Sequence, residues 1–264
     1  DLQGDQGLDA GACLVFPGFI AGHTHLDMPV SGTVTSDDFA SGSTAALAGG
    51  TTMLIDFATQ DKGDTLAHAL EIWHSRADGN CSCDYGFHMA VTDWNERTRA
   101  ELHEMANAGI TSFKCYYAYD ALMLSDPEMY DILCEMKQIG GILGVHCENG
   151  PVLNRLREKA LAEGHTDPSW HPKTRPALVE GEAVSRFLRI AALADAPAWI
   201  VHLSTDDGRR EIARARARGQ KVLVETCPQY LLLDESVYEK RDFEAAKYVC
   251  SPPLRSKADH QSLW

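Results

Sequence analysis

The sequence predicts an α/β protein built as a (β/α)8 barrel of the TIM type, incomplete at its C-terminal end. Three observations lead there. Apolar strand-like runs alternate with helix-like segments along the chain, a pattern that means a parallel sheet with helical cover. No G-x-G-x-x-G phosphate loop follows any of the runs, which disfavours an open doubly wound sheet. The polar residues of chemical interest fall at the C-terminal ends of several strands, where barrel active sites are assembled.

Taken in order, residues 1–12 are polar and Gly-rich and read as the tail of something that began earlier. The first strand is an apolar run (Val15, Phe16, Phe19, Ile20) ending in His23-Thr24-His25. A loop rich in Gly, Ser and Thr leads to a helix near 37–48, stopped by Gly49-Gly50. Residues 51–57 (TTMLIDF) form a buried second strand, and 65–77 a helix. A third strand over 85–91 precedes a helix at 96–108 that stops at Gly109. The fourth strand, 110–117 (ITSFKCYY), contains Lys114. The helix at 127–139 opens on a proline and closes at Gly140-Gly141, the usual punctuation. A fifth strand at 142–146 is followed by helices over 152–162 and 177–194. The sixth strand is 199–203 (WIVHL), an Arg-rich helix runs to 218, and the seventh strand is 222–226.

Composition narrows the function classes. A chain of 264 residues with 44% hydrophobic content suits one large α/β domain, alone or with a small appendage. The net charge of -14 argues against nucleic acid and anionic membrane surfaces as partners. No apolar run approaches the ~20 residues of a membrane span, and nothing at the N-terminus resembles a signal peptide. The eight cysteines lack the short regular spacing of a disulfide framework, so they read as reduced thiols in a cytoplasmic protein.

The chemical argument begins at His23 and His25. Residues two apart on a strand point the same way, so both imidazoles converge on one spot, which makes half a metal site. Two unrelated strand-end histidines would look the same, so the partners decide. Lys114 ends the fourth strand, His146 the fifth and His202 the sixth. In a closed barrel these ends face one mouth. A protonated ammonium repels a metal, but a neutral lysine that has added CO2 is a two-oxygen anion able to bridge two cations. Burial favours the neutral amine. Taken alone, Lys114 reads better as a strand-end lysine paired with a carboxylate; the strand-end histidines beside it turn the reading toward a metal ligand. The remaining histidines (His68, His74, His88, His103, His165, His171 and His260) are assigned no chemistry.

Several long motifs then make the chain resemble a family, the cyclic amidohydrolases of the dihydropyrimidinase and D-hydantoinase type. They are HTHLDMP (23–29), GGTTMLIDF (49–57), CDYGFHMAVT (83–92), SFKCYYAY (112–119), VHCENG (145–150), VHLS (201–204), ETCPQYL (225–231) and SPPLR (251–255). The resemblance implies His23 and His25 on one divalent metal, His146 and His202 on a second, and carboxylated Lys114 as the bridge. Zinc(II) is the implied metal, with Mn(II) or Co(II) also compatible with N and O ligands. Tyr119 matches an oxyanion-stabilising tyrosine, and Ser251 a residue whose backbone holds the substrate's ring amide. Val30, Tyr116 and Met123 match apolar residues around the exocyclic group.

The implied reaction is metal-assisted hydrolysis of a cyclic amide in dihydropyrimidines or 5-substituted hydantoins, as in pyrimidine catabolism, by a cytoplasmic homotetramer. Where a dihydroorotase would have an arginine two residues after the second histidine, this chain has Asp27, which disfavours an anionic ring. Allantoin is a weaker alternative among ureides. A non-catalytic scaffold of the dihydropyrimidinase-related type is another, opposed by the retained ligands. Departures are Ala21, where the family usually has Asp, and Asp120, where it often has Lys. The family's final ligand, an aspartate in a Gly-Ser-Asp motif on the eighth strand, and a substrate-binding asparagine just before it do not occur before Trp264. The expectation is therefore residues 1–14 as a remnant of a small β-sandwich domain and 15–264 as a barrel truncated before strand 8, inactive by itself.

Overall fold

The first strand forms later than its apolar run suggests. β1 covers Phe19–Thr24, and Val15 and Phe16 lie outside it, largely exposed. Pro17 has no N–H for a ladder, so pairing starts at Phe19, whose N–H donates to the Gly50 carbonyl at 3.0 Å. The computed structural model describes residues 7–30, 32–240 and 243–264. Residues 1–6 of the expected sandwich remnant lie outside the described residues, and 7–14 contain no strand.

Seven strands form one sheet. They are β1, β4 (Thr51–Thr59), β5 (Asp84–Ala90), β6 (Ser112–Tyr116), β7 (Ile142–His146), β8 (Ala198–Ile200) and β9 (Val222–Val224), adjacent in that order. The class is α/β and the sheet is parallel, as the alternation requires. The expected loop after β1 holds a small hairpin, β2 (Pro29–Val30) with β3 (Thr33–Val34). The chain divides into two compact units, residues 1–56 with 74–87, and residues 57–73 with 88–264.

In the first unit, α1 (Phe39–Ala48) starts where the sequence can satisfy its free N–H groups. Asp38 accepts from the Ser41 N–H at 2.7 Å while the Ser41 hydroxyl accepts from the Asp38 N–H at 3.1 Å, a reciprocal cap. Beyond the helix, Gly50 takes φ +86°, which lets the chain turn back into β4 beside β1.

The second unit adds α3 (Glu96–Asn107), α4 (Asp126–Ile139), α5 (Gly150–Ala162), α7 (Ala177–Leu193) and α8 (Asp206–Ala217). α4 is closed by Gly140 in the left-handed region, its N–H on the Met136 carbonyl. Phe113, Leu133, Met136, Leu143, Val145, Val184 and Phe187 are all fully buried between these elements. Trp199 packs on Phe57 and over Gly144, where a Cβ would lie 2.5 Å from the indole.

The sixth and seventh strands end earlier than expected, β8 at Ile200 rather than 203 and β9 at Val224 rather than 226. β8 stops at Ile200 because His202 adopts φ +39°, outside extended geometry. Single backbone bonds continue the contact, with Glu225 N–H on the Ile200 carbonyl and Leu203 N–H on the Glu225 carbonyl. Three short helices were not anticipated: α6 (Trp170–Thr174), α9 (Pro228–Leu232) and α10 (Lys257–Leu263). Among the described residues no helix is long and apolar enough to cross a membrane.

Gly144→Ala should destabilise the protein by about 1–3 kcal/mol, since a methyl group is forced into the Trp199 ring. Chemical denaturation followed by circular dichroism checks this, and an unchanged midpoint would show that the indole moves aside freely.

Candidate metal centre

His23 lies in β1 and His25 one residue past its end, with Thr24 between them on the opposite face. That middle residue is pinned. The Thr24 hydroxyl and the Leu26 N–H both donate to Oδ2 of buried Asp56, each at 2.8 Å. Fixing the backbone on both sides of His25 aims the two imidazoles together, and their Nε2 atoms stand 3.2 Å apart. Two nitrogens bound to one zinc at ~2.0–2.1 Å and a near-tetrahedral angle lie about 3.3 Å apart, so the pair fits two ligands of a single ion.

The second unit presents another such pair. His146 ends β7, His202 follows β8, and His146 Nδ1 is 3.1 Å from His202 Nε2. Both rings are almost fully buried, and burial pushes the His146 pKa down despite the adjacent Glu148 carboxylate. Lys114 is not at the end of its strand, as expected, but inside β6, two residues before the end at Tyr116. Its side chain is only 1% exposed, with Nζ 4.3 Å from the centroid of the Phe57 ring and 5.2 Å from that of Tyr116.

Tyr119 follows β6 with φ +71° and packs its ring against His146, centroids 4.9 Å apart. Burial raises the phenol pKa, opposed by Arg175 and by a hydrogen bond with Ser251, so the hydroxyl keeps its proton at neutral pH. Ser251 is thereby brought beside Tyr119. Met123 bridges to Tyr116, and its N–H donates to the Tyr119 carbonyl at 2.7 Å. Val30 is on the hairpin of the first unit, exposed.

What sequence reading missed is a set of buried charges. Glu148 Oε2 lies 2.8 Å from His146 Nε2 and also accepts from Arg175. Burial disfavours its charge, but His146, Arg175 and Arg255 outweigh that and hold the carboxyl below its ordinary value. Arg255 reaches Glu180 at 3.1 Å. Glu225, bonded by the His202 N–H, is pushed up to about 6 by burial. Glu148 and Arg255 fall inside VHCENG and SPPLR, but nothing local in a sequence distinguishes a buried charge from a solvated one.

Among the described residues no cluster of three or more His, Cys, Asp or Glu side chains is arranged to hold a metal ion. The histidines come in pairs, and the other expected ligand is a lysine. Two cavities in the second unit, about 970 and 760 Å³, are lined by none of these ligands.

The sequence profile of the Amidohydrolase family matches residues 14–241. The chain belongs to the amidohydrolase family. It is 47% identical to a D-hydantoinase of Geobacillus stearothermophilus over 266 aligned residues, covering all of this chain and 56% of that protein. To a rat dihydropyrimidinase it is 41% identical, covering 94% of this chain and 48% of the relative. A crystal structure of D-hydantoinase superposes with a TM-score of 0.97 at 46% identity, covering 100% of this chain and 58% of that one. The dihydropyrimidinase of Brevibacillus agri gives 0.93 at 50% identity, covering 94% and 54%. The chain spans about half the length of the relatives it matches, and its sheet accordingly corresponds to an incomplete barrel of this amidohydrolase type.

Arg175→Leu should cost about 3–5 kcal/mol, because it leaves the buried Glu148 carboxylate without its closest cation. Denaturant unfolding measures this; combining it with Glu148→Gln should recover part of the loss, and full additivity would mean the two side chains are not coupled.

Proposed function

We propose that the chain is the metal-binding part of an enzyme that hydrolyses the cyclic amide bond of dihydropyrimidines or 5-substituted hydantoins. The observation that supports this most is the pair of imidazole couples, at 3.2 and 3.1 Å, in a chain so similar to enzymes named D-hydantoinase and dihydropyrimidinase. His23 and His25 would hold one divalent ion, His146 and His202 a second, and carboxylated Lys114 would bridge them. Zinc suits this N and O donor set. Bound there, the ions would supply a lowered water pKa and polarisation of the ring carbonyl.

The chain's own residues would meet other parts of the substrate. Tyr119 donates its retained proton to the oxygen that gains charge when the carbonyl carbon becomes tetrahedral, an interaction strongest in the transition state. Ser251, beside that hydroxyl, presents backbone groups to the ring amide. Tyr116 and Met123 would supply apolar surroundings for the exocyclic group, and Val30 is assigned the same role from the resemblance alone. Asp27 stands where an arginine would recruit an anionic ring, so the substrate is uncharged there. The whole enzyme is read as a cytoplasmic homotetramer, and residues 1–14 as belonging to a small β-sandwich domain.

In an active enzyme containing this sequence, Lys114→Ala should lose bound metal and hydrolysis together, with short carboxylic acids restoring part of both. Metal analysis by plasma mass spectrometry decides it: two ions per subunit retained in Lys114→Ala would sink the bridge. Tyr119→Phe should keep its metal and lower kcat on dihydrouracil or phenylhydantoin by roughly a hundredfold. A change confined to KM would reduce Tyr119 to pocket lining.

A further inference from the structure

We propose that Glu148 is a positioning residue that sets the tautomer of His146, and that a buried ionic chain from Glu148 through Arg255 to Glu180 ties that ring to the segment bearing His202. The inference deepens the metal reading above and rests on it only where metal affinity is the readout.

The first link is the contact between Glu148 Oε2 and His146 Nε2 at 2.8 Å. An ionised carboxylate has no hydrogen to give, so the proton between these atoms belongs to the imidazole. A neutral imidazole has only one. With that proton on Nε2, the lone pair is left on Nδ1, the atom 3.1 Å from His202 Nε2. Without Glu148 the ring would be free to move its proton to Nδ1 and close the donor that a metal requires. A carboxylate behind a ligating histidine is a general device for fixing tautomer and ring orientation.

The second link is what fixes Glu148. Its Oε2 also accepts from Arg175, and Arg255 Nη2 stands 4.0 Å from its Oε1. Arg255 then branches. Its Nη1 donates to the Arg175 carbonyl, its Nε to the Ser204 hydroxyl at 2.9 Å, and its Nη2 contacts Glu180 at 3.1 Å. Glu180 accepts the N–H groups of Ser204 at 2.8 Å and Thr205 at 3.1 Å, with both hydroxyls as well. Those two residues directly follow Leu203 and His202, where the backbone leaves β8 with φ +39°. The chain of charges therefore starts on the ring of one histidine and ends on the backbone of the segment carrying the other.

Energetics favour a positional role over a stabilising one. Glu148, Arg175, Glu180 and Arg255 are all at most 7% exposed. Desolvating an ion costs several kcal/mol, which pairing at best offsets, so apolar residues of similar volume would serve stability as well. What apolar residues cannot do is hold a single proton at Nε2.

The test uses long-range ¹H–¹⁵N correlation spectra of the histidine rings in the metal-free protein, then zinc titration of the same samples. His146 is expected with its proton on Nε2. Glu148→Ala should give a mixed tautomer at His146, leave the His23 and His25 signals unchanged, and weaken zinc binding at the second pair by about 10- to 100-fold. Glu148→Gln, whose amide oxygen still accepts from Nε2, should keep the tautomer and recover most of the affinity. If Glu148→Ala does not fold, the unsubstituted protein and Glu148→Gln suffice. A proton on His146 Nδ1 in the unsubstituted protein overturns the proposal outright, as does a Glu148→Ala protein that unfolds more easily with tautomer and affinity intact. Failure of the metal reading looks different: no zinc binds the unsubstituted protein, while the tautomer result still stands or falls by itself.

Discussion

β6 and β7 pair in parallel with Lys114 opposite Gly144 and Tyr116 opposite His146, and this register decides which side chains of the second unit meet. Because side chains alternate, Lys114 and Tyr116 share one face, as do Gly144 and His146, while Phe113, Cys115, Leu143 and Val145 fill the other with no exposure. A slip of one residue would turn Lys114 and His146 into the apolar layer and the apolar residues out of it, so burial enforces the register. Gly144 is the point where this arrangement is tightest. It leaves the space that the Trp199 indole occupies, and the indole in turn lies along Phe57, whose ring also covers the Lys114 amine.

That face is expensive to build. It buries a lysine, two histidines and the ionic chain behind them, groups that folding alone would not select. Hydrogen bonds account for how the charges survive there: each carboxylate of the chain meets arginine, backbone N–H or hydroxyl donors. The thiols nearby behave differently. Burial raises the pKa of Cys115 and Cys147, so they remain neutral members of the core.

Periodicity and punctuation made most of this fold readable. The strand at 142–146 and the helices opened by Asp38 and Pro127 and closed by Gly49 and Gly140 fall where their signals put them, to within a residue or two. The His-x-His spacing likewise anticipated a converging pair. What escaped has a common physical cause, dependence on partners distant in sequence. β8 ends early because of the backbone at His202, whose N–H is met by Glu225, 23 residues on. The helix at 257–263 is too short to show a period, although Ser256 caps it through the Asp259 N–H. Glu148, Arg175, Glu180 and Arg255 are ordinary surface residue types, and only their burial gives them meaning.

The two imidazole pairs reach the same nitrogen separation by different means. In the first unit the constraint acts on the backbone: Asp56 takes the Thr24 hydroxyl and the Leu26 N–H, gripping the residues on either side of His25. What calls for an aspartate there is a strand end that must not fray. In the second unit the segment after β8 is held comparably, by Glu180 on the N–H groups of Ser204 and Thr205. At His146 a carboxylate touches the ring itself, Glu148 Oε2 standing 2.8 Å from Nε2. That difference follows from position. His146 ends a central strand that is paired with β6 along its whole length, so its backbone is held on that side and Glu148 acts on the ring's rotation and its proton. A carboxylate is placed in each case where the local structure leaves a degree of freedom unspent.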